Sequence, residues 1–458
     1  MSLSIVTLAM LVCASLPLKV YSKNFFFNTS VTGNTNRYKW DSINKENSLD
    51  VELKPKYRSN SGITLSGYVP ISKSFKGEKK ASRQTTKEVS EIVRADLLFS
   101  RYFEINDSSK KIKRSKTMEM LEKFNSLGAG YTLVVFTESQ QKELFVYAYL
   151  YENTNKKTIF ARRYKSMLNS IRKSSHMLAD DVLKTLTGKR GIATTRVVFA
   201  NDFTGNKEIY IVDYDGKNLT RLTSDKNIAL LPRWSYDSRK IYYTTYKYGN
   251  PDIFVVDLVR KKIAPVSMFS GLNLIGGVSS DDKNIVMTLS KGGGNTDIYT
   301  LNLENKNVKR LTSDYYVNGS PSFSPDGKFI TYVSNRAGNP QIFIMELETG
   351  TTRKLTSMNW ADSPQWSPTG EWIVFAGRYN KLHPIDIFLV DITGTRVVRL
   401  TSDEGSNEDP TWSPDGRFIS FSTTRNGKRQ LFVMDADGSA PHIIADLNGN
   451  TYTPNWSH

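Results

Sequence analysis

Cysteine is nearly missing from this chain. The 458 residues hold one, Cys13, inside an apolar stretch at the N-terminus. Behind that stretch there is no thiol, which excludes disulfides, thiolate metal sites and cysteine nucleophiles together. Histidine is scarce too: His176, His383, His442 and His458 are scattered, and no paired zinc histidines occur. A Gly-x-Ser-x-Gly nucleophile elbow is absent, as is the Gly-x-x-x-x-Gly-Lys-Ser/Thr loop that cradles phosphates. The triplet Gly292, Gly293 and Gly294 falls at a turn of the repeat described below and reads as a loose turn, not a phosphate site. The expectation is a non-enzymatic protein with no catalytic residue, no cofactor and no metal.

Long apolar runs are also lacking after the N-terminus, so nothing there approaches the roughly 20 residues of a spanning helix. Residues 1–22 read as a secretory signal, with an apolar stretch over 3–16 and then Val20, Tyr21 and Ser22 before the cleavage point. No basic residue precedes the stretch. An uncleaved anchor is the alternative, but the run is short and Pro17 interrupts its end. Val12 is too large for the residue that precedes a lipidated cysteine.

Charge is unevenly placed. Residues 23–195 carry 32 Lys/Arg against 17 Asp/Glu, a net of +15, whereas residues 196–458 carry 29 against 28. A basic excess of this kind points to an acidic partner. For an exported chain nucleic acid is not expected, which leaves an acidic protein or a weak contact with an anionic membrane surface. Compositional drift toward lysine and asparagine is the plain alternative.

What the chain does have is a repeat. Ile209-Tyr210, Ile253-Phe254, Ile298-Tyr299, Ile342-Phe343, Ile387-Phe388 and Leu431-Phe432 follow one another at steps of 44, 45, 44, 45 and 44. A second mark keeps phase with them: Leu222-Thr223, Val266-Ser267, Leu311-Thr312, Leu355-Thr356, Leu400-Thr401 and Ile444-Ala445. Periods of 40 to 50 residues mean solenoids or propellers. Within a unit, Ser413-Pro414-Asp415-Gly416 is a turn signal, and Ile419 and Phe421 alternate on the next strand. The same alternation recurs at Val197/Phe199, Ile241/Tyr243, Ile285/Met287, Ile330/Tyr332 and Ile373/Phe375. Four short strands per unit make the blade of a β-propeller. Inner strands end in Trp234-Ser235, Val278-Ser279, Phe323-Ser324, Trp366-Ser367 and Trp412-Ser413, and the first unit has none. Pro454, Asn455, Trp456 and Ser457 supply it, so the chain's end completes the first of six blades. An open β-array would leave this strand unexplained. Carboxylates such as Asp213, Asp257, Asp391 and Asp435 recur at one place in the blade, which favours a structural role.

Before the repeat, residues 23–50 read as a flexible arm carrying Phe25, Phe26 and Phe27. An α/β domain is expected over 51–190, with helices at 86–99, 116–125 and 170–186 and strands at 131–136, 144–151 and 158–164. Val89, Ile92, Val93 and Leu97 follow helical spacing, and Gly188 ends the last helix. The propeller takes 191–458. His176 on the last helix reads as a capping or packing residue.

His176, Ala179, Asp180, Leu186, Thr187, Gly188, Gly191, Thr195 and Arg196 at the junction resemble the junction pattern of the TolB family of periplasmic propeller proteins. The Trp-Ser-Pro-Asp-Gly turns and the closing Pro-Asn-Trp-Ser are similar to that family as well. The resemblance implies a monomeric, non-enzymatic periplasmic adaptor of the Tol-Pal system. Its propeller mouth would bind the lipoprotein Pal and its N-terminal region TolA, in support of outer-membrane constriction at cell division. The loops that precede each inner strand are then the expected site, because loops on a rigid scaffold carry binding. Asn273, Tyr315, Tyr316, Asn318, Asn359, Trp360, Glu408 and Tyr452 are the candidate partner-binding residues, the aromatics as anchors. Leu272 stands where the family has histidine. Two other readings remain open: a sugar- or lipid-binding ring, and the gating propeller of a peptidase. The second would need a hydrolase domain with a serine elbow.

Overall fold

The computed structural model describes residues 64–70, 79–106, 117–291, 295–402 and 404–458. The expected signal, the arm with its three phenylalanines, and the glycine triplet lie outside the described residues.

The first part is a five-stranded sheet with helices on both faces. Its elements are β1 (Thr64–Pro70), α1 (Lys79–Phe99), β2 (Glu104–Asn106), α2 (Thr117–Ser126), β3 (Tyr131–Gln140), β4 (Glu143–Glu152), β5 (Lys157–Met167) and α3 (Ile171–Thr187), with sheet order β2-β1-β3-β4-β5. β1 runs parallel to β2 and β3, and the remaining pairs are antiparallel. Leu144, Val146, Ala148 and Leu150 alternate along β4 and are fully buried against Val89, Val93 and Leu97 of α1 and Leu178 and Val182 of α3. On the other face Met120, Leu121 and Phe124 of α2 pack against Val134. β1 and β2 escape sequence reading because Ser66, Gly67 and Pro70 break any alternation in β1 and β2 is three residues long. α3 ends as expected: Gly188 adopts φ 70° and donates its N–H to the Lys184 carbonyl.

Six four-stranded antiparallel sheets follow. Five are built from consecutive strands, with inner strands Ala229–Trp234, Asn273–Val278, Asn318–Phe323, Trp360–Trp366 and Asn407–Trp412 (blades 2 to 6). In blade 1, Thr451–Trp456 from the chain's end pairs with Arg196–Asn201. Each inner strand touches the next, and that of blade 6 touches that of blade 1, so the ring is closed. The seam is tied by side chains as well. Trp456 Nε1 donates to Thr195 Oγ1 at 2.8 Å, and the Arg196 N–H donates to Ser457 Oγ at 3.0 Å.

The alternating pairs fill the space between blades: all twelve residues, from Val197 and Phe199 to Ile419 and Phe421, are fully buried. The Leu-Thr mark has a polar cause. Thr223, Thr312, Thr356 and Thr401 accept the N–H of the isoleucine 14 residues earlier in the same unit (Ile209, Ile298, Ile342 and Ile387) and donate to Glu208, Asp297, Gln341 and Asp386. One hydroxyl thus locks the fourth strand to the start of the third. The Ser-x-Asp turns work similarly, with Ser235, Ser279, Ser324 and Ser413 donating to the aspartate two residues on. In blade 3, where Ser280, Asp281 and Asp282 replace Pro-Asp-Gly, the turn survives with Asp282 at φ 58°. Its carboxylate accepts the N–H groups of Tyr236 and Asp237 from blade 2, at 2.6 and 2.9 Å. The recurrent carboxylates are structural: Asp257 accepts the N–H groups of Val259 and Arg260, and Asp391 those of Thr395 and Arg396.

The N-terminal sheet and helices dock on blades 1 and 6. Phe99 lies within 5.7 Å of the rings of Tyr214, Phe418 and His442. Arg417 stacks over Tyr102 at 4.3 Å and donates to the Ser100 carbonyl. His176 packs as expected but also carries polar contacts: its Nδ1 meets Asp96 at 2.7 Å, and the same carboxylate takes the Tyr214 hydroxyl. Burial pushes the Asp96 carboxyl above its ordinary value, against these two bonds. Asp180 caps the connecting segment by accepting the N–H groups of Ala193 and Thr194. The blade residues named here sit in, or at the strand end beside, a first or third turn, on one side of the ring.

Candidate functional site

Strand direction alternates within a blade, so the loop before each inner strand and the loop after each second strand emerge together. Both lie on the side away from the described N-terminal residues, and this loop face, which those residues leave uncovered, is the candidate site.

Its loops are held by a repeated polar unit. In blade 4, Arg336 lies over Tyr332 and Phe343, at 5.6 and 4.9 Å, and pairs with Asp314 at 2.7 Å and Asn318 Oδ1 at 3.2 Å. Asn318 Nδ2 donates to Asp314 at 2.8 Å and to the Tyr316 carbonyl at 3.3 Å. In blade 6, Arg425 lies over Phe421 and Phe432, pairs with Glu404 at 2.7 Å and reaches Asn407 at 3.5 Å. An arginine, an acid and an asparagine pin the loop from inside, which costs no exposed surface and rigidifies what the loop presents.

The eight candidate residues divide accordingly. Asn273 and Asn318 are fully buried. Asn273 accepts from Ser267 Oγ and the Phe269 N–H and donates to the carbonyls of Phe269 and Gly271. Both asparagines shape loops and offer no surface of their own. Glu408 is buried and paired with Arg429 at 2.8 Å. Tyr452 is partly buried, donates to Asp202 at 3.0 Å, and has the Lys207 ammonium 3.9 Å from its ring centre. Trp360 is partly buried against the apolar cluster between blades 5 and 6, with Asn359 partly buried beside it. Tyr315 and Tyr316 remain exposed, at 95% and 46%.

Phe203, Tyr248, Tyr379 and Leu382 join them on the same side, exposed by 52 to 95%. They sit in loops after second strands, and the sequence reading considered only loops before inner strands. The missing signal was topological: a period of 44 places both loops of each blade on one face. Met268, 53% exposed, lies in a loop of the expected type but is not an aromatic anchor.

Inside the ring, Leu231, Ser320, Ser363, Asp409 and Thr453 adopt φ of 46 to 55° immediately before a proline, and Gly276 occupies the matching bulge in blade 3. Polar bonds join neighbouring inner strands there: Ser320 Oγ to Asp362 at 2.7 Å, the Thr453 N–H to Asp409 at 3.2 Å, and Arg233 Nε to the Gly276 carbonyl at 2.8 Å. Burial, with help from Glu408, pushes the Asp409 carboxyl up to about 6, against Arg429 and Arg233. Burial likewise pushes the Arg233 guanidinium down to about 10.

Among the described residues, His176, Asp213 and Asp215 are the group spaced closely enough to hold a metal ion. Arg172 already supplies the positive charge there, through ion pairs to Asp213 and Asp215 and a 3.1 Å contact with His176 Nε2. The arrangement is a partly buried ion-pair cluster at the docking interface.

Residues 183–458 match a family model described as the TolB beta propeller domain. A "Protein TolB homolog" from Chlorobium luteolum is 34% identical over 333 residues, which cover 73% of this chain and 76% of that protein. Another, from Chlorobium chlorochromatii, is 31% identical over 252 residues, 54% of this chain and 57% of that relative, so this match spans little more than half of the relative's length. The crystal structure of TolB from Acinetobacter baumannii is similar in fold, with a TM-score of 0.73 at 23% identity over 88% of this chain and 98% of that one.

Proposed function

Because the chain belongs to the TolB family, we propose that it is a non-enzymatic periplasmic adaptor of the Tol-Pal system. It binds the peptidoglycan-associated lipoprotein Pal through the loop face of the ring and TolA through its N-terminal region. By linking envelope layers it supports outer-membrane integrity and constriction at division.

The observation that carries this reading is the exposed apolar set, Phe203, Tyr248, Met268, Tyr315, Tyr316, Tyr379 and Leu382, held on the face that the described N-terminal residues leave uncovered. Exposed aromatics on a rigid, polar-rimmed surface mark a protein interaction site.

The test is calorimetric titration with the soluble domain of Pal from the same organism, repeated with Tyr315→Ala and Trp360→Ala. Saturable binding that Tyr315→Ala weakens supports the reading. Absence of heat, together with separate elution in a sizing run, overturns the Pal assignment.

A further inference from the structure

Blade 5 departs from the pairing that pins the loops of blades 4 and 6. Strand register aligns Ala361 with Asn318 and Asn407, since Ala361 faces Gly377 as Asn318 faces Ser334 and Asn407 faces Thr423. Two residues on, Tyr379 therefore stands where those blades have Arg336 and Arg425. The preceding loop, Ser357, Met358, Asn359 and Trp360, offers no acid to match Asp314 or Glu404. All three members of the polar unit are gone.

Beside this gap one cation, Arg378, is paired with no acid among the described residues. Arg378 ends the second strand of the blade, and its Nε is buried with no hydrogen-bond partner. The neighbouring Arg399 is satisfied by Asp386, through Nε at 3.0 Å and Nη2 at 2.5 Å. Asp386 is saturated in turn by Thr401 and Asn407. Arg378 thus borders a cleft of about 40 Å³, walled by Tyr379, His383, Asp386, Phe388 and Arg399. The Tyr379 ring stands edge-on to Phe388, with centroids 5.2 Å apart. This is far below the several hundred Å³ of a cofactor site, but one planar group fits.

We propose that this cleft receives a carboxylate side chain of the docking protein, bound by the Arg378 guanidinium on the loop face. A partly desolvated guanidinium lacking a counter-charge is costly by itself, and a carboxylate matches its fork of donors in two parallel bonds. Asp386 on the wall disfavours a doubly charged phosphate. The exposed Tyr379 and Leu382 beside the cleft would pack around the incoming acid and exclude water from the pair. The source of the carboxylate rests on the adaptor reading; the chemistry of the cleft does not.

Three measurements separate these. In calorimetry with the soluble domain of Pal, Arg378→Gln should weaken binding by roughly thirtyfold or more, and Arg378→Lys by less, because truncating one partner of a buried charge pair is that costly. The urea midpoint of free Arg378→Gln should stay equal to wild type or rise, since an unpaired charge is removed; a fall would mark a structural residue and overturn the proposal. Independently, the Arg378 Nε–Hε signal of the wild-type protein should shift saturably with sodium acetate and not with sodium chloride at equal ionic strength. An unchanged affinity for Pal, or a signal silent to acetate, overturns the assignment. If the wild type does not bind Pal, the adaptor reading fails, and the acetate titration alone decides the cleft.

Discussion

Two tryptophans at the same strand position in adjacent blades test how the ring is sealed. Trp456 ends the closing strand of blade 1 and Trp234 the inner strand of blade 2, and both are 2% exposed. Their indole N–H groups differ. That of Trp456 donates to Thr195 Oγ1, in the segment leading into the ring, whereas that of Trp234 is buried without a partner. Phenylalanine at either site removes similar ring area. At Trp456 it also removes a hydrogen bond of about 1 kcal/mol net, while at Trp234 it relieves an unpaired buried donor that costs about 1–3 kcal/mol. Against this, Arg196 lies 5.1 Å from the Trp234 ring, a contact that weakens by about 0.5–1 kcal/mol over the smaller ring. Trp456→Phe should therefore destabilise more than Trp234→Phe, by about 1–3.5 kcal/mol. Urea midpoints read by far-UV circular dichroism, with equal slopes, give the difference. An equal or larger loss for Trp234→Phe would refute the argument that the closing strand is held by this bond as well as by packing.

Three further outcomes follow from the geometry. Asn318→Ala removes bonds to Asp314, Arg336 and the Tyr316 carbonyl, so it should cost about 1–3 kcal/mol and loosen the loop that presents Tyr315; Tyr315→Ser should leave the urea midpoint unchanged. Gly191→Ala would put its Cβ 2.0 Å from Asp180 Oδ1, displacing the cap on Ala193 and Thr194. Faster amide exchange at those two residues, with the blades unaffected, is the expected reading. Asp409 has a folded pKa near 6, above the ordinary carboxyl value, so its contribution is greatest at low pH and is lost as pH rises through 6. Asp409→Asn should thus gain stability relative to wild type between pH 4 and pH 7. A constant or reversed difference in urea midpoint across that range would show that the carboxyl is not held protonated.

The periodic marks carried most of the architecture because each has a repeated physical cause. The Ile-aromatic pairs and the alternating pairs fill identical gaps between blades, and each Leu-Thr mark locks one strand pair, so sequence alone determined the repeat, the strand pattern and the return of Trp456 to the first blade. The helices of the N-terminal part were legible for the same reason, each burying one stripe against the sheet. β1 was not, since its neighbours β2 and β3 supply the pairing that its own residues do not announce. The loop face was half legible. Tyr315 and Tyr316 stand out in any reading, but Asn273, Asn318 and Glu408 look like surface residues until their partners, Ser267, Arg336 and Arg429, are brought beside them by other strands. Tertiary structure alone decided which side of the ring the described N-terminal residues cover, which polar residues turn inward, and that the Arg378 Nε is buried without a hydrogen-bond partner. Pairing between loops depends on strand register and closure, and neither is a property of any one segment.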